Sequence, residues 1–208
     1  MEMIRRPWRL LMLGVLLASA CGGGGGGGSD DDAVSSGVTA NFVADTVPSC
    51  PTTSDTLSLR QVSTVGSTVT LGLEVSDCDS SMLVFGVTFD ISFDPRVMQC
   101  ASANPCSAGT LLTAPLATSV PHCVCNNTSG ELIGGFSKAA PGTGDAITPG
   151  GSEDIVRIAM RATQAGLGRM DLTNGGSQNG TSLVRLDGSG QPVAIGGVAY
   201  AGGAVTAQ

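Results

Sequence analysis

The chain has 208 residues, a formal net charge of −7 and only 3% aromatic residues. Its 10 basic residues face 17 acidic ones, which leaves no surface able to neutralise phosphates and excludes nucleic acid as a partner. Seven cysteines and 31 glycines point to an exported chain rich in turns.

The first element in chain order is an export signal, residues 1–20. Arg5, Arg6 and Arg9 precede the apolar run LLMLGVLLASA from Leu10 to Ala20, which is too short to cross a hydrocarbon core of about 30 Å. Ala18-Ser19-Ala20-Cys21 resembles the lipobox of bacterial lipoproteins. The resemblance implies cleavage before Cys21, lipidation of its thiol and residence in the cell envelope. Gly22, rather than aspartate, after Cys21 leans towards the outer membrane or cell surface. An ordinary signal peptide with an incidental cysteine is the alternative. Residues 21–50 are expected to form a flexible tether. Gly22 to Gly28 offer nothing to bury, and Asp30, Asp31 and Asp32 repel one another. Such a segment reaches roughly 30 Å. No Gly-Lys-Ser/Thr follows the glycines, so they do not form a phosphate loop.

Residues 51–208 are expected to form one domain, and its pattern is β throughout. In TVTLGLEV, residues 68–75, Val69, Leu71, Leu73 and Val75 share one face. In FGVTFDISFDP, residues 85–95, Val87, Phe89, Ile91 and Phe93 point one way while Thr88, Asp90, Ser92 and Asp94 point the other. Residues 154–162 place Val156, Ile158 and Met160 inward, with Arg157 and Arg161 outward. Shorter strands are expected at 57–60, 131–137, 167–172, 181–187, 192–200 and 203–207. No run of ten or more residues beyond the signal has a helical period with caps. Many short antiparallel strands with one apolar face must pack as two sheets. The expected fold is an all-β sandwich.

The runs V-G-S-T-V-T-L-G-L-E-V and F-G-V-T-F-D-I-S-F-D-P-R-V-M resemble the start of a cohesin domain. Gly86, Phe89, Ile91, Phe93, Asp94, Pro95 and Val97 fall on the family pattern of alternating apolar residues and an aromatic-Asp-Pro turn. GTLL at 109–112, GELIGGFS at 130–137, IVRIAMRA and the closing GGAVTA extend the resemblance over about residues 56–207. It implies a jelly-roll sandwich of about nine strands that binds a dockerin module. It also implies that the outward residues Thr88, Asp90 and Ser92 contact the partner.

With Cys21 lipidated, Cys50, Cys78, Cys100, Cys106, Cys123 and Cys125 remain, an even number suited to disulfides. Cys123 and Cys125 are two apart, so on a strand they face the same side and need separate partners. Cys100 and Cys106, which bracket ASANP, are the natural candidates, leaving Cys50 with Cys78. A metal site from the four loop cysteines with His122 is the competing reading, although no Cys-x-x-Cys knuckle occurs.

Catalytic readings find little to stand on. His122 is the only histidine, and no nucleophile elbow joins a strand to a helix. Gly188-Ser189-Gly190 reads as a hairpin turn. Paired carboxylates such as Asp90 and Asp94 could serve glycoside hydrolysis, but the aromatic walls that raise a carboxyl pKa are scarce. Asp77, Asp79 and Ser80 resemble the start of a calcium loop, and they equally suit a disulfide-pinned turn. The expectation is therefore a non-catalytic binding protein without cofactor or resident metal. Its partner is another protein, in the manner of a dockerin-bearing polysaccharide-degrading enzyme. Carbohydrate binding and a generic adhesion or scaffold role are the alternatives. For a carbohydrate platform only Tyr200, Phe42, Phe85 and Phe136 could contribute rings.

Overall fold

A computed structural model describes residues 37–45, 55–78, 82–112, 121–138, 144–148, 150–173 and 180–208. The export signal, Cys21, the glycine run and Cys50 lie outside them. In chain order the described strands are β1 (Ala40–Ala44), β2 (Thr56–Val65), β3 (Thr68–Ser76), β4 (Leu83–Val84), β5 (Gly86–Phe93), β6 (Met98–Cys100), β7 (Cys106–Ala108), β8 (His122–Asn126), β9 (Glu131–Ser137), β10 (Asp145–Ala146), β11 (Ser152–Ala162), β12 (Gly166–Leu172), β13 (Ser182–Leu186), β14 (Pro192–Ala194), β15 (Ala199–Ala201) and β16 (Gly203–Ala207). Among the described residues there is no helix.

The strands form two principal sheets. One runs β1-β16-β12-β5-β13-β14, with β9 on the other side of β5 and β8 beyond it. The second runs β15-β2-β3-β11, and β6 and β7 share the far side of β11. Among the described residues every ladder is antiparallel except that of β15 with β2. The strand total exceeds nine because long ladders are met by short pieces: β6 and β7 divide one side of β11, and β12 and β13 divide one side of β5. The expected strand at 192–200 is likewise split, β14 joining one sheet and β15 the other.

Alternation along the strands builds the core between the sheets. Phe89 and Ile91 from β5 and Leu132 from β9 are buried with Leu57, Leu59, Leu71, Leu73 and Ile158 from the facing sheet. Each such side chain contributes about 1.5–3 kcal/mol of hydrophobic stabilisation. In β11 the register shifts between Asp154 and Val156, so consecutive residues Ile155 and Val156 are both buried. The β8–β9 turn closes on Asn126, whose Oδ1 accepts the N–H groups of Thr128 and Ser129. Gly130 ends that turn at φ 72°, and a Cβ there would also drive into the Phe93 carbonyl.

The tether expected over 21–50 is corrected at its end. Residues 40–44 form β1, paired along β16 from Ala40–Ala207 to Ala44–Gly203. Phe42 is buried, and its N–H donates to Gln61 Oε1 at 2.6 Å. Five residues with one core aromatic suffice because β16 supplies the whole ladder. The domain therefore includes residue 40, not only 51 onward.

Candidate functional site

β5, which carries the candidate residues Thr88, Asp90 and Ser92, lies in the interior of its sheet. β9 pairs with it from Gly86–Ser137 to Ser92–Glu131. On its other side β12 pairs with Ile91–Phe93 and β13 with Gly86–Thr88. Asp90 falls in the gap between those two ladders. There its N–H donates to Thr181 Oγ1 at 3.2 Å, and its carbonyl accepts the Thr173 N–H at 2.9 Å. Thr181 is fully buried, so its hydroxyl replaces the missing rung.

The register puts three rows of side chains on the outer face. His122, Gly135, Thr88 and Ser182 form one, Val124, Ile133 and Asp90 the next, and Asn126, Glu131, Ser92 and Asp171 the third. Thr88 and Ser92 are exposed and Asp90 is half-buried. The Thr88 hydroxyl donates to the Gly180 carbonyl at 3.3 Å and that of Ser92 to the Asp171 carbonyl at 3.5 Å. Asp90 forms no ion pair among the described residues. Beside it, Val124 and Ile133 are 60% and 49% exposed. Shallow depressions of about 420 and 380 Å³ flank the Thr88–Gly135 pair, the larger lined by Asp90, Glu131 and Ile133. Gly135 contributes no side chain to fill either.

Farther along the face, Arg169 donates to both oxygens of Asp45, at 2.9 and 2.8 Å, and to Asp171 at 2.7 Å. These bonds raise the guanidinium pKa above its ordinary value, so its charge is permanent.

Val124 and Ile133 are exposed side chains of this face that the sequence alone did not single out. The signal for Val124 is HCVCN itself: if both cysteines face inward to form disulfides, the residue between them faces out. Ile133 alternates with Leu132 and Gly134, but its meeting with Asp90 depends on strand register.

The other expected chemistry resolves into structure. Cys100 bonds Cys125 and Cys106 bonds Cys123, with Cα separations of 6.4 and 6.0 Å. These cysteines are thereby removed as thiolate metal ligands. Cys78 is also disulfide-bonded, while its expected partner Cys50 is outside the described residues. Gly134 makes room for the second bridge, since a Cβ there would stand 2.8 Å from Cys123 Sγ. His122 is exposed on β8. Asp77 is buried, and its Oδ2 accepts the Met82 N–H, so this carboxylate closes its own loop. Asp79 and Ser80 lie outside the described residues. Asp187 accepts the Ser189 and Gln191 N–H groups, both at 2.9 Å, across the turn containing Gly188-Ser189-Gly190. The five phenylalanines, Phe42, Phe85, Phe89, Phe93 and Phe136, are all buried. Phe136 continues the inward alternation of β9, and Phe85, between β4 and β5, is buried beside the smaller depression, so neither presents an exposed ring face.

No protein-family model and no curated protein matches the sequence. Solved structures do. A type II cohesin domain from the cellulosome of Acetivibrio cellulolyticus aligns at 16% identity, covering 75% of this chain and 95% of that one, with a TM-score of 0.52. The second type II cohesin module of an adaptor scaffoldin from the same organism aligns at 14% identity over 74% of this chain and 90% of that one, TM-score 0.53. A type II cohesin-X-dockerin complex, again from that organism, gives 14% identity over 71% and 93% and a TM-score of 0.51. The fold is cohesin-like. Within the cohesin-like sandwich, Thr88, Asp90 and Ser92 occupy the outer face of an interior strand, as period-two alternation predicted.

Proposed function

We propose that this cohesin-like domain is a protein-recognition module that docks its partner on the outer face of β5, β9 and β8. The observation that carries the reading is the row in which exposed Val124 and Ile133 run into the carboxylate of Asp90, which has no ion pair among the described residues. Aliphatic contact beside a specifying charge is what a protein partner can use. Thr88 and Ser92 border the row. The partner inferred is a dockerin-bearing enzyme that degrades polysaccharide, and the module is held at the cell envelope through lipidated Cys21. A dockerin in one of the similar structures and the lipobox resemblance support those finer assignments.

The test applies secreted proteins from the source cells to the immobilised domain, with calcium or with a chelator. The expected outcome is a calcium-dependent protein whose affinity falls at least about ten-fold with Asp90→Lys or Ile133→Asp, the effect of losing ~1.4 kcal/mol of contact. Unchanged affinity in both variants would move the interface off this face. Retention on insoluble polysaccharide with no protein captured would replace the reading with carbohydrate binding.

A further inference from the structure

β8 is an edge strand, and among the described residues its ladder is with β9 alone. Alternation sends His122, Val124 and Asn126 outward, and all are exposed. The inward positions are Cys123 and Cys125, bonded to Cys106 on β7 and Cys100 on β6. Those two strands belong to the opposite sheet. An edge strand is ordinarily held by aliphatic side chains in the core, and β8 supplies none. One further tie lies just beyond it, where Asn127 Oδ1 accepts the Cys100 N–H at 2.8 Å. β9 is different: it buries Leu132 and Phe136 and is laddered to β5 throughout, so its place does not depend on β8.

We propose that β8 is a redox-dependent strand. Reduction of its two disulfides releases it from the sandwich while the rest stays folded, and removes Val124 from the recognition row. Only that last consequence rests on the protein-recognition reading; the structural step does not. Each disulfide accepts two electrons and two protons from a dithiol reductant, whose own thiols close into a disulfide as two protein thiols form. The reductant's thiolate attacks at Cys106 or Cys125, which are partly exposed, rather than at buried Cys100 or Cys123. Once β8 departs, β9 becomes the sheet edge with its core contacts intact.

Amide hydrogen exchange on the full chain, followed by mass spectrometry, tests this without any partner. The oxidised protein is compared with a variant carrying Cys100→Ser, Cys106→Ser, Cys123→Ser and Cys125→Ser, which leaves the Cys78 disulfide in place. Protection over residues 122–126 is expected to fall at least roughly 100-fold, with β3 and β11 unchanged. The paired variants Cys100→Ser with Cys125→Ser, and Cys106→Ser with Cys123→Ser, each remove one bridge and leave the Cys78 disulfide in place. Protection at β8 should fall partway in each, and they decide the matter should the fourfold variant fail to fold. Retained protection at β8, or loss extending into β3 and β11, overturns the proposal. The recognition reading is judged separately, by partner binding to the oxidised protein.

Discussion

Asp94 and Asp90 lie four apart in sequence and play different parts. Asp94 Oδ1 accepts the Arg96 N–H and Nε, both at 3.0 Å, and Oδ2 accepts Nη2 at 2.8 Å. Its carbonyl accepts the N–H groups of Val97 and Met98, so the Asp-Pro turn is closed by both backbone and side chain. The Arg96 side chain and N–H hold the Asp94 carboxyl below the ordinary aspartate value. A lowered folded pKa means that this contribution is complete above the unfolded carboxyl value and is lost as pH falls through the folded one. Carboxyl-detected NMR should place the Asp94 midpoint below that of an unfolded aspartate, and Asp94→Ala should lower the melting temperature without weakening partner binding. A normal melting temperature with lost binding would exchange the roles given to these two residues. Period-two alternation was enough to read Asp90 as outward. The hydroxyl of Thr181 that completes its ladder was not legible, because it arrives from 91 residues away.

At the level of elements, β2, β3 and β11 share a polar outer surface tied by ion pairs. Arg60 pairs with Glu74 and lies 3.1 Å from Asp154, and Arg157 reaches Asp154 at 3.5 Å. Gly72 lies against this cluster, and a Cβ there would stand 2.9 Å from Asp154 Cγ. Gly72→Ala should therefore destabilise the domain by about 1–3 kcal/mol in urea unfolding, the cost of forcing atoms into a filled site. A change below about 0.5 kcal/mol, within the range of ordinary surface substitutions, would show that Asp154 swings aside freely. β3, β5 and β11 were legible because eight or more residues of alternation outweigh local noise, whereas β2 was read only over 57–60 because its burial does not alternate. β6, β7 and β8 were not, since three to five residues that include cysteines carry no period of their own. Their positions follow from what they pair with and from the disulfides.

For the whole molecule, the decisive revision is that the sandwich takes in β1. ANFVA follows a glycine- and aspartate-rich stretch, so its single core aromatic was hidden by its surroundings. A chain beginning at Gly37 should unfold at the same urea concentration as the full-length protein. One beginning at Thr46, which keeps Cys50, should lose at least ~3 kcal/mol, because the buried Phe42 side chain goes with β1. Equal stability of the two would mean that β1 is only laid on the sheet. The two outer faces also differ electrically. Behind, Glu74 and Asp154 are matched by arginines, whereas in front Asp90 and Glu131 carry no ion pair among the described residues. That imbalance leaves the carboxylates of Asp90 and Glu131 uncompensated by ion pairs on the front face, among the described residues. Their attraction speeds the approach of a cationic surface and loses range as salt shortens the screening length to about 10 Å at 0.1 M. On the proposed recognition reading, encounter rate would be set by the carboxylates and residence time by Val124 and Ile133, so that two halves of one row would govern two different kinetic steps.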